Sequence, residues 1–140
     1  TIGFVFQSYN LISHLSVIEN VKFRVNTRAN ALVIKSKTIL DDVTIELVGP
    51  IREFYPVVFL DSGSLEINGG RYTMLESNQD TRIKMNDAEL YSYYGGDIHI
   101  STGANLSHIY GDIDISNSIV SNAAFYGNVT INDSKISKFT

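Results

Sequence analysis

Tyr94-Gly95-Gly96-Asp97-Ile98-His99-Ile100-Ser101, Tyr110-Gly111-Asp112-Ile113-Asp114-Ile115-Ser116 and Tyr126-Gly127-Asn128-Val129-Thr130-Ile131-Asn132 align almost residue for residue. Each reads Tyr-Gly, an acid or amide, an apolar-x-apolar core and a small polar residue. Alternation with a period of two marks a strand with one buried face, and the inward positions are mostly β-branched. Working outward, the same core recurs at Ile83-Lys84-Met85-Asn86 and Leu65-Glu66-Ile67-Asn68. Weaker copies stand at Ile45-Glu46-Leu47, Phe23-Arg24-Val25-Asn26 and Phe4-Val5-Phe6-Gln7. With the second apolar residue as anchor, Phe6, Val25, Leu47, Ile67, Met85, Ile100, Ile115 and Ile131 succeed one another at intervals of 19, 22, 20, 18, 15, 15 and 16 residues.

A corner signal stands immediately after the anchors. Asn68-Gly69-Gly70, Asn86-Asp87-Ala88, Ser101-Thr102-Gly103, Ser116-Asn117-Ser118 and Asn132-Asp133-Ser134 are rich in residues that tolerate positive φ or bond their own backbone. A repeat of 15–22 residues is too short for a strand plus a crossover helix, but it fits one coil of two or three short strands. The expected fold is all-β, a parallel β-helix or β-solenoid forming one domain over residues 1–140, wider across 1–50 and narrower and more regular across 57–140. An antiparallel sandwich accounts for the strands but not for the register. The start at Thr1 without a methionine reads as a piece of a longer chain.

Composition narrows the functional classes. The formal charge of −4 gives no electrostatic reason to expect nucleic acid. Charges are nearly balanced up to Glu53, whereas ten of the fifteen from Val57 onward are acidic, which suits a surface handling neutral or cationic ligands. The absence of cysteine removes disulfides and thiolate metal sites, and His14, His99 and His108 lack close metal-ligand spacing, so neither a metal nor a cofactor is expected. No stretch approaches the ~20 apolar residues of a membrane span.

Asp97 and Asp112 occupy matched repeat positions, with Asn128 in the third copy. Two carboxylates one strand spacing apart come near the ~5–5.5 Å used by retaining glycosidases. The competing reading is that each closes its Tyr-Gly turn by accepting backbone N–H bonds, and it is favoured because a site should break a repeat that these residues obey. The residue between the apolar positions points outward, giving a column of Glu66, Lys84, His99, Asp114 and Thr130. In it, His99 beside Asp114 is a candidate proton-transfer pair, and cross-strand charge pairing is the plainer alternative. Asp87 and Glu89 complete the carboxylates weighed for catalysis. Exposed tyrosines on a rigid β surface make stacking platforms for sugar rings, and Tyr91, Tyr93, Tyr94 and Tyr110 are the candidate ligand contacts. The alternative for aromatics in this region, Tyr72 and Phe125 among them, is to plug the interior.

Two resemblances bear on function, the first local and the second covering more of the chain. Ile2-Gly3-Phe4-Val5-Phe6-Gln7 with the subsequent residues through Val21 resembles the Q-loop segment of ABC-transporter ATPases. No Gly-rich phosphate loop ending in Gly-Lys-Ser or Gly-Lys-Thr accompanies it, so it carries no nucleotide site. The copies across Leu65–Ile136, with their Asn-Asp, Asn-Gly and Ser-Asn corners, resemble the parallel β-helices of the pectin-lyase-like class, especially those of bacteriophage tailspikes and tail fibres. That resemblance implies a homotrimeric, extracellular, virion-borne protein that binds or cleaves bacterial surface polysaccharide. It transfers no catalytic residue, and it leaves open a polysaccharide lyase or hydrolase, or an inert architectural solenoid.

Overall fold

The computed structural model describes residues 2–4, 9–11, 16–25, 31–47, 58–91 and 107–139. All regular structure among them is β-strand, and the strand pairings are parallel. The chain visits three faces, A, B and C, in fixed rotation. The first pass is β1 (Ile2–Phe4), β2 (Tyr9–Leu11) and β3 (Ser16–Glu19), and the second is β4 (Val21–Val25), β5 (Leu32–Ile34) and β6 (Thr38–Asp41). β7 (Thr44–Leu47), β8 (Val58–Leu60) and β9 (Ser64–Asn68) form the third, and β10 (Arg71–Thr73), β11 (Leu75–Ser77) and β12 (Arg82–Asn86) the fourth. The fifth comprises β13 (Glu89–Tyr91), β14 (Ser107–Tyr110) and β15 (Asp112–Ser116). In the sixth, β16 (Ile119–Tyr126) bends across two faces before β17 (Val129–Asn132), and β18 (Lys135–Phe139) returns to face A.

Parallel neighbours need a long connection, and here the other two strands of each pass supply it in place of a helix. The expectation of stacked parallel strands is met, and the arrangement is consistent with a β-solenoid. Alternation then fills the interior. On face C, Leu40, Ile67, Met85 and Ile115 stand in register and are fully buried, beside Thr38, Leu65, Ile83 and Ile113. Face A contributes Phe23, Ile45, Tyr72, Leu90 and Val120, and face B contributes Leu32, Ile34, Val58, Leu60 and Leu75, to the same core cluster. Tyr72 is thus an interior plug, 1% exposed, with its hydroxyl donating to the Gly69 carbonyl at 3.4 Å.

The coil length differs from expectation. Ile18, Leu40, Ile67, Met85, Ile115 and Ile131 stand one above another on face C, at intervals of 22, 27, 18, 30 and 16 residues. Three of these rungs fall within the expected 15–22 residues and two, at 27 and 30, exceed it, so the rungs do not shorten steadily. The physical reason is that all three faces share the apolar-x-apolar pattern. Val25 and Leu47 pair with each other on face A, so a series running from them to Ile67 changes face. β12 pairs directly with β15, so Ile115 stands next to Met85 on face C; the copy at Tyr94–Ser101, with its anchor Ile100, lies outside the described residues.

The corners from face C to face A match the expectation closely. Asn20, Asp42, Asp87, Asn117 and Asp133 have φ of 52, 50, 52, 49 and 47°, and Gly69 takes the equivalent place at 75°. Asn and Asp are the side chains that adopt this left-handed region most readily. Five of these six N–H groups donate to a carbonyl in the next pass: Asn20 to Asp41, Asp42 to Asn68, Gly69 to Asn86, Asp87 to Ser116 and Asn117 to Asn132, at 2.7–3.2 Å. The strand ladder thereby continues through the turn, and the corner carries no unpaired donor at those positions.

Candidate functional site

The opposite corner, from face B to face C, carries the Tyr-Gly signature, and its glycines have a steric cause. A Cβ on Gly111, where φ is +81°, would stand 2.2 Å from the Thr81 carbonyl oxygen, and one on Gly127 would stand 1.9 Å from that of Gly111. At these two positions the preceding pass lies too close for any side chain. The residue after each glycine then meets its counterpart: Asn128 Nδ2 donates to Asp112 Oδ1 at 2.9 Å. Arg82 lies on the other side, 3.8 Å from Asp112 Oδ2.

Face B is where the regular pattern breaks. Its backbone ladder runs β2-β5-β8-β11 and stops, while β14 pairs with the second half of β16. β11 and β14 are joined instead through buried serine hydroxyls. The Leu75 N–H donates to Ser107 Oγ at 3.1 Å and the Tyr110 N–H to Ser77 Oγ at 2.8 Å, while Ser77 Oγ donates to the Tyr110 carbonyl at 2.9 Å.

Beside this seam lies an open groove of about 540 Å³ lined by Asp61, Asn78, Gln79 and Tyr110. A second hollow of about 300 Å³ is lined by Gly63, Asp80, Thr81, Arg82, Gly111 and Asp112. The two adjoin, because the continuous segments 78–82 and 110–112 run from one lining into the other. Asn78 Nδ2 donates to the carbonyl oxygen of Asp61 at 3.1 Å and to its Oδ1 at 2.8 Å, fixing the groove wall. Thr81 Oγ1 donates to the Asn78 carbonyl at 2.7 Å and holds the connecting turn.

Tyr110 forms the aromatic border. It stands in register with Tyr126, and the rings stack with centroids 4.6 Å apart and planes 16° from parallel, the distance that the strand spacing imposes on like residues in successive passes. The His108 ring lies 6.2 Å from that of Tyr126 and nearly parallel to it, with Nδ1 3.6 Å from Glu76 Oε1. Tyr126 is 49% exposed, so a large part of its ring is open to a ligand.

Among the residues expected from sequence, Tyr110 is at the groove and Asp112 lines the adjoining hollow. Asp112 is part of a polar ladder with Asn128 and Arg82, and it accepts there from the side-chain amide of Asn128, where the turn-closing reading expects backbone N–H groups. Asp114 is exposed on face C, in register with Lys84 on one side and Thr130 on the other. Tyr91 is half-buried on β13 between Thr73 and Ser121. Glu89 is tied to Arg71 Nε at 2.6 Å, and Asp87 is an exposed corner residue beside Asn86 Nδ2 at 3.2 Å. Asp97, His99, Tyr93 and Tyr94 lie outside the described residues. Asp61, Asn78 and Gln79 are site residues that sequence reasoning does not single out. Their signal is the polar run Asn78-Gln79-Asp80-Thr81, which interrupts the alternation between β11 and β12. Among the described residues, no three His, Asp or Glu side chains are grouped to hold a metal ion, and no helix is long and apolar enough to cross a membrane. Comparison with protein-family models, curated proteins and solved structures returns no match.

Proposed function

We propose that this chain is a carbohydrate-binding segment of a β-solenoid fibre of the tailspike or surface-adhesin kind, acting outside the cell or on a virion against bacterial surface polysaccharide. The observation that carries the reading is the stacked Tyr110–Tyr126 pair bordering an open polar groove. A sugar ring presents C–H faces that pack on an aromatic ring and hydroxyls that need planar polar partners, and Asp61, Asn78 and Gln79 offer those partners beside Tyr110. The shared core fed by all three faces supports a closed solenoid as the scaffold. A rigid stack of this kind suits assembly of three copies into a fibre.

The test is binding of the chain to purified bacterial surface polysaccharides by affinity electrophoresis and calorimetry, with Tyr126→Ala and Tyr110→Ala as variants. Loss of about tenfold or more in affinity, as expected for removing a stacking platform, supports the reading. Unchanged binding in both variants moves the site elsewhere, and no binding to any polysaccharide ends the proposal. Light scattering addresses assembly separately: three copies give roughly three times 15.6 kDa, and a monomer at all concentrations removes the trimer.

A further inference from the structure

The polar groups of the groove and the adjoining hollow are unequally committed. Asn78 directs its amide N–H₂ to Asp61, and Thr81 directs its hydroxyl proton to the Asn78 carbonyl. Arg82, the one cationic side chain in the two linings, faces Asp112. Asp61 Oδ2, the Asn78 side-chain carbonyl and the whole Asp80 carboxylate are acceptors without a hydrogen bond among the described residues. The donors there are the Gln79 amide, the Tyr110 hydroxyl and the guanidinium of Arg82, whose 3.8 Å approach to Asp112 is an ion pair without a hydrogen bond, so the imbalance is one of charge. Three carboxylates, Asp61, Asp80 and Asp112, therefore face the ligand space against a single guanidinium.

From this imbalance we infer that the site selects neutral, hydroxyl-rich glycans, in extended form along both hollows, and rejects chains carrying uronate, sialate or other carboxylate groups. The inference rests on the glycan-binding reading above and names its ligand class. A sugar hydroxyl donates to Asp61, Asn78 and Asp80 and satisfies their lone pairs. A sugar carboxylate brings no proton to donate and adds a like charge to a partly desolvated cleft. Solvent screens each contact in so open a groove, and the three carboxylates together weaken binding by about tenfold. The continuity of residues 78–82 and 110–112 across the two hollows gives the ligand a path longer than one sugar ring.

The experiment uses the whole chain and matched probes: an acidic bacterial polysaccharide in its native form and after chemical reduction of its carboxyl groups to alcohols, together with a printed array of neutral and acidic microbial glycans. The expected result is binding of neutral members and reduced chains, with native acidic chains about tenfold weaker. Asp80→Asn should narrow that gap. Asp80 is exposed at φ 61°, a conformation that asparagine also adopts, so the variant keeps its fold. Equal or tighter binding of the native acidic chains overturns the inference and leaves the glycan reading standing. No binding by either class removes both.

Discussion

Faces B and C are built from short strands with the same inward and outward alternation, yet they differ in continuity. Face C carries its backbone ladder without interruption from β3 through β17, whereas the ladder of face B stops at β11 and resumes between β14 and β16. Fifteen residues, 92–106, separate β13 from β14 at that same pass. Where the ladder is whole, the outward side chains are ordinary alternating charges, Glu66, Lys84 and Asp114. Where it is broken, two buried serines bridge the gap, and the groove and the tyrosine stack lie beside them. A repeat supplies rigidity through sameness, and a ligand site needs a departure from sameness. The seam is the place in the described molecule where the two requirements meet.

The largest effect should come from breaking the regular face. Ile83 is fully buried between Leu65 and Ile113, so Ile83→Ala leaves a cavity that the stacked strands cannot close. The expected loss is about 2–5 kcal/mol, measured as a lowered urea midpoint. A loss below about 1 kcal/mol would mean that face C packs far more loosely than its burial indicates. Next comes the corner that joins the two faces. Gly111→Ala places a methyl 2.2 Å from the Thr81 carbonyl at a φ of +81°, and both features oppose it. The expected cost is about 2–3 kcal/mol in the same unfolding assay. Because Gly111 lies between Tyr110 and Asp112, glycan affinity should fall with stability.

These two variants also separate the features that the sequence discloses from those that it hides. The inward column and the Asn/Asp corners are legible because they arise from alternation and from left-handed backbone preference, which are local properties. The Tyr-Gly copies at Tyr110 and Tyr126 announce a turn correctly, but the reason for glycine at 111, a carbonyl in the adjoining pass, is a contact between residues 30 apart in sequence. Rung length is easily misread because Val25 and Ile67 look alike while standing on different faces. The groove is hidden for the same reason. Asp61 and Asn78 come from successive passes, and nothing in either segment alone shows that the amide of one closes on the carboxylate of the other.

A smaller effect tests the seam itself. Ser77→Ala removes the acceptor of the Tyr110 N–H and the donor to the Tyr110 carbonyl, leaving both groups without that partner. The expected loss is about 1–2 kcal/mol, with faster hydrogen exchange of the Tyr110 amide and weaker glycan binding. If exchange at that amide is unchanged, the serines are not the groups that join β11 to β14.

The smallest effect at neutral pH belongs to face A, whose ladder is continuous like that of face C but whose interior contains one phenol. Tyr72 lies between Ile45 and Leu90, and burial, with smaller help from the charges of Asp42 and Asp41, pushes its hydroxyl well above the ordinary tyrosine range. Tyr72→Phe removes only a long hydrogen bond to Gly69 and should cost less than about 1 kcal/mol at pH 7. Alkali reverses the comparison. A raised pKa means that the folded chain holds its proton where the unfolded chain releases it, so the contribution of Tyr72 is complete below about pH 10 and declines above it. The decline approaches about 1.4 kcal/mol per pH unit. Urea titrations of both proteins from about pH 8 to about pH 12 should therefore cross, with the phenylalanine variant the more stable at the alkaline end. Curves that stay parallel across that range would show that the phenol ionises as easily inside the fold as outside it, and that face A is not sealed around it.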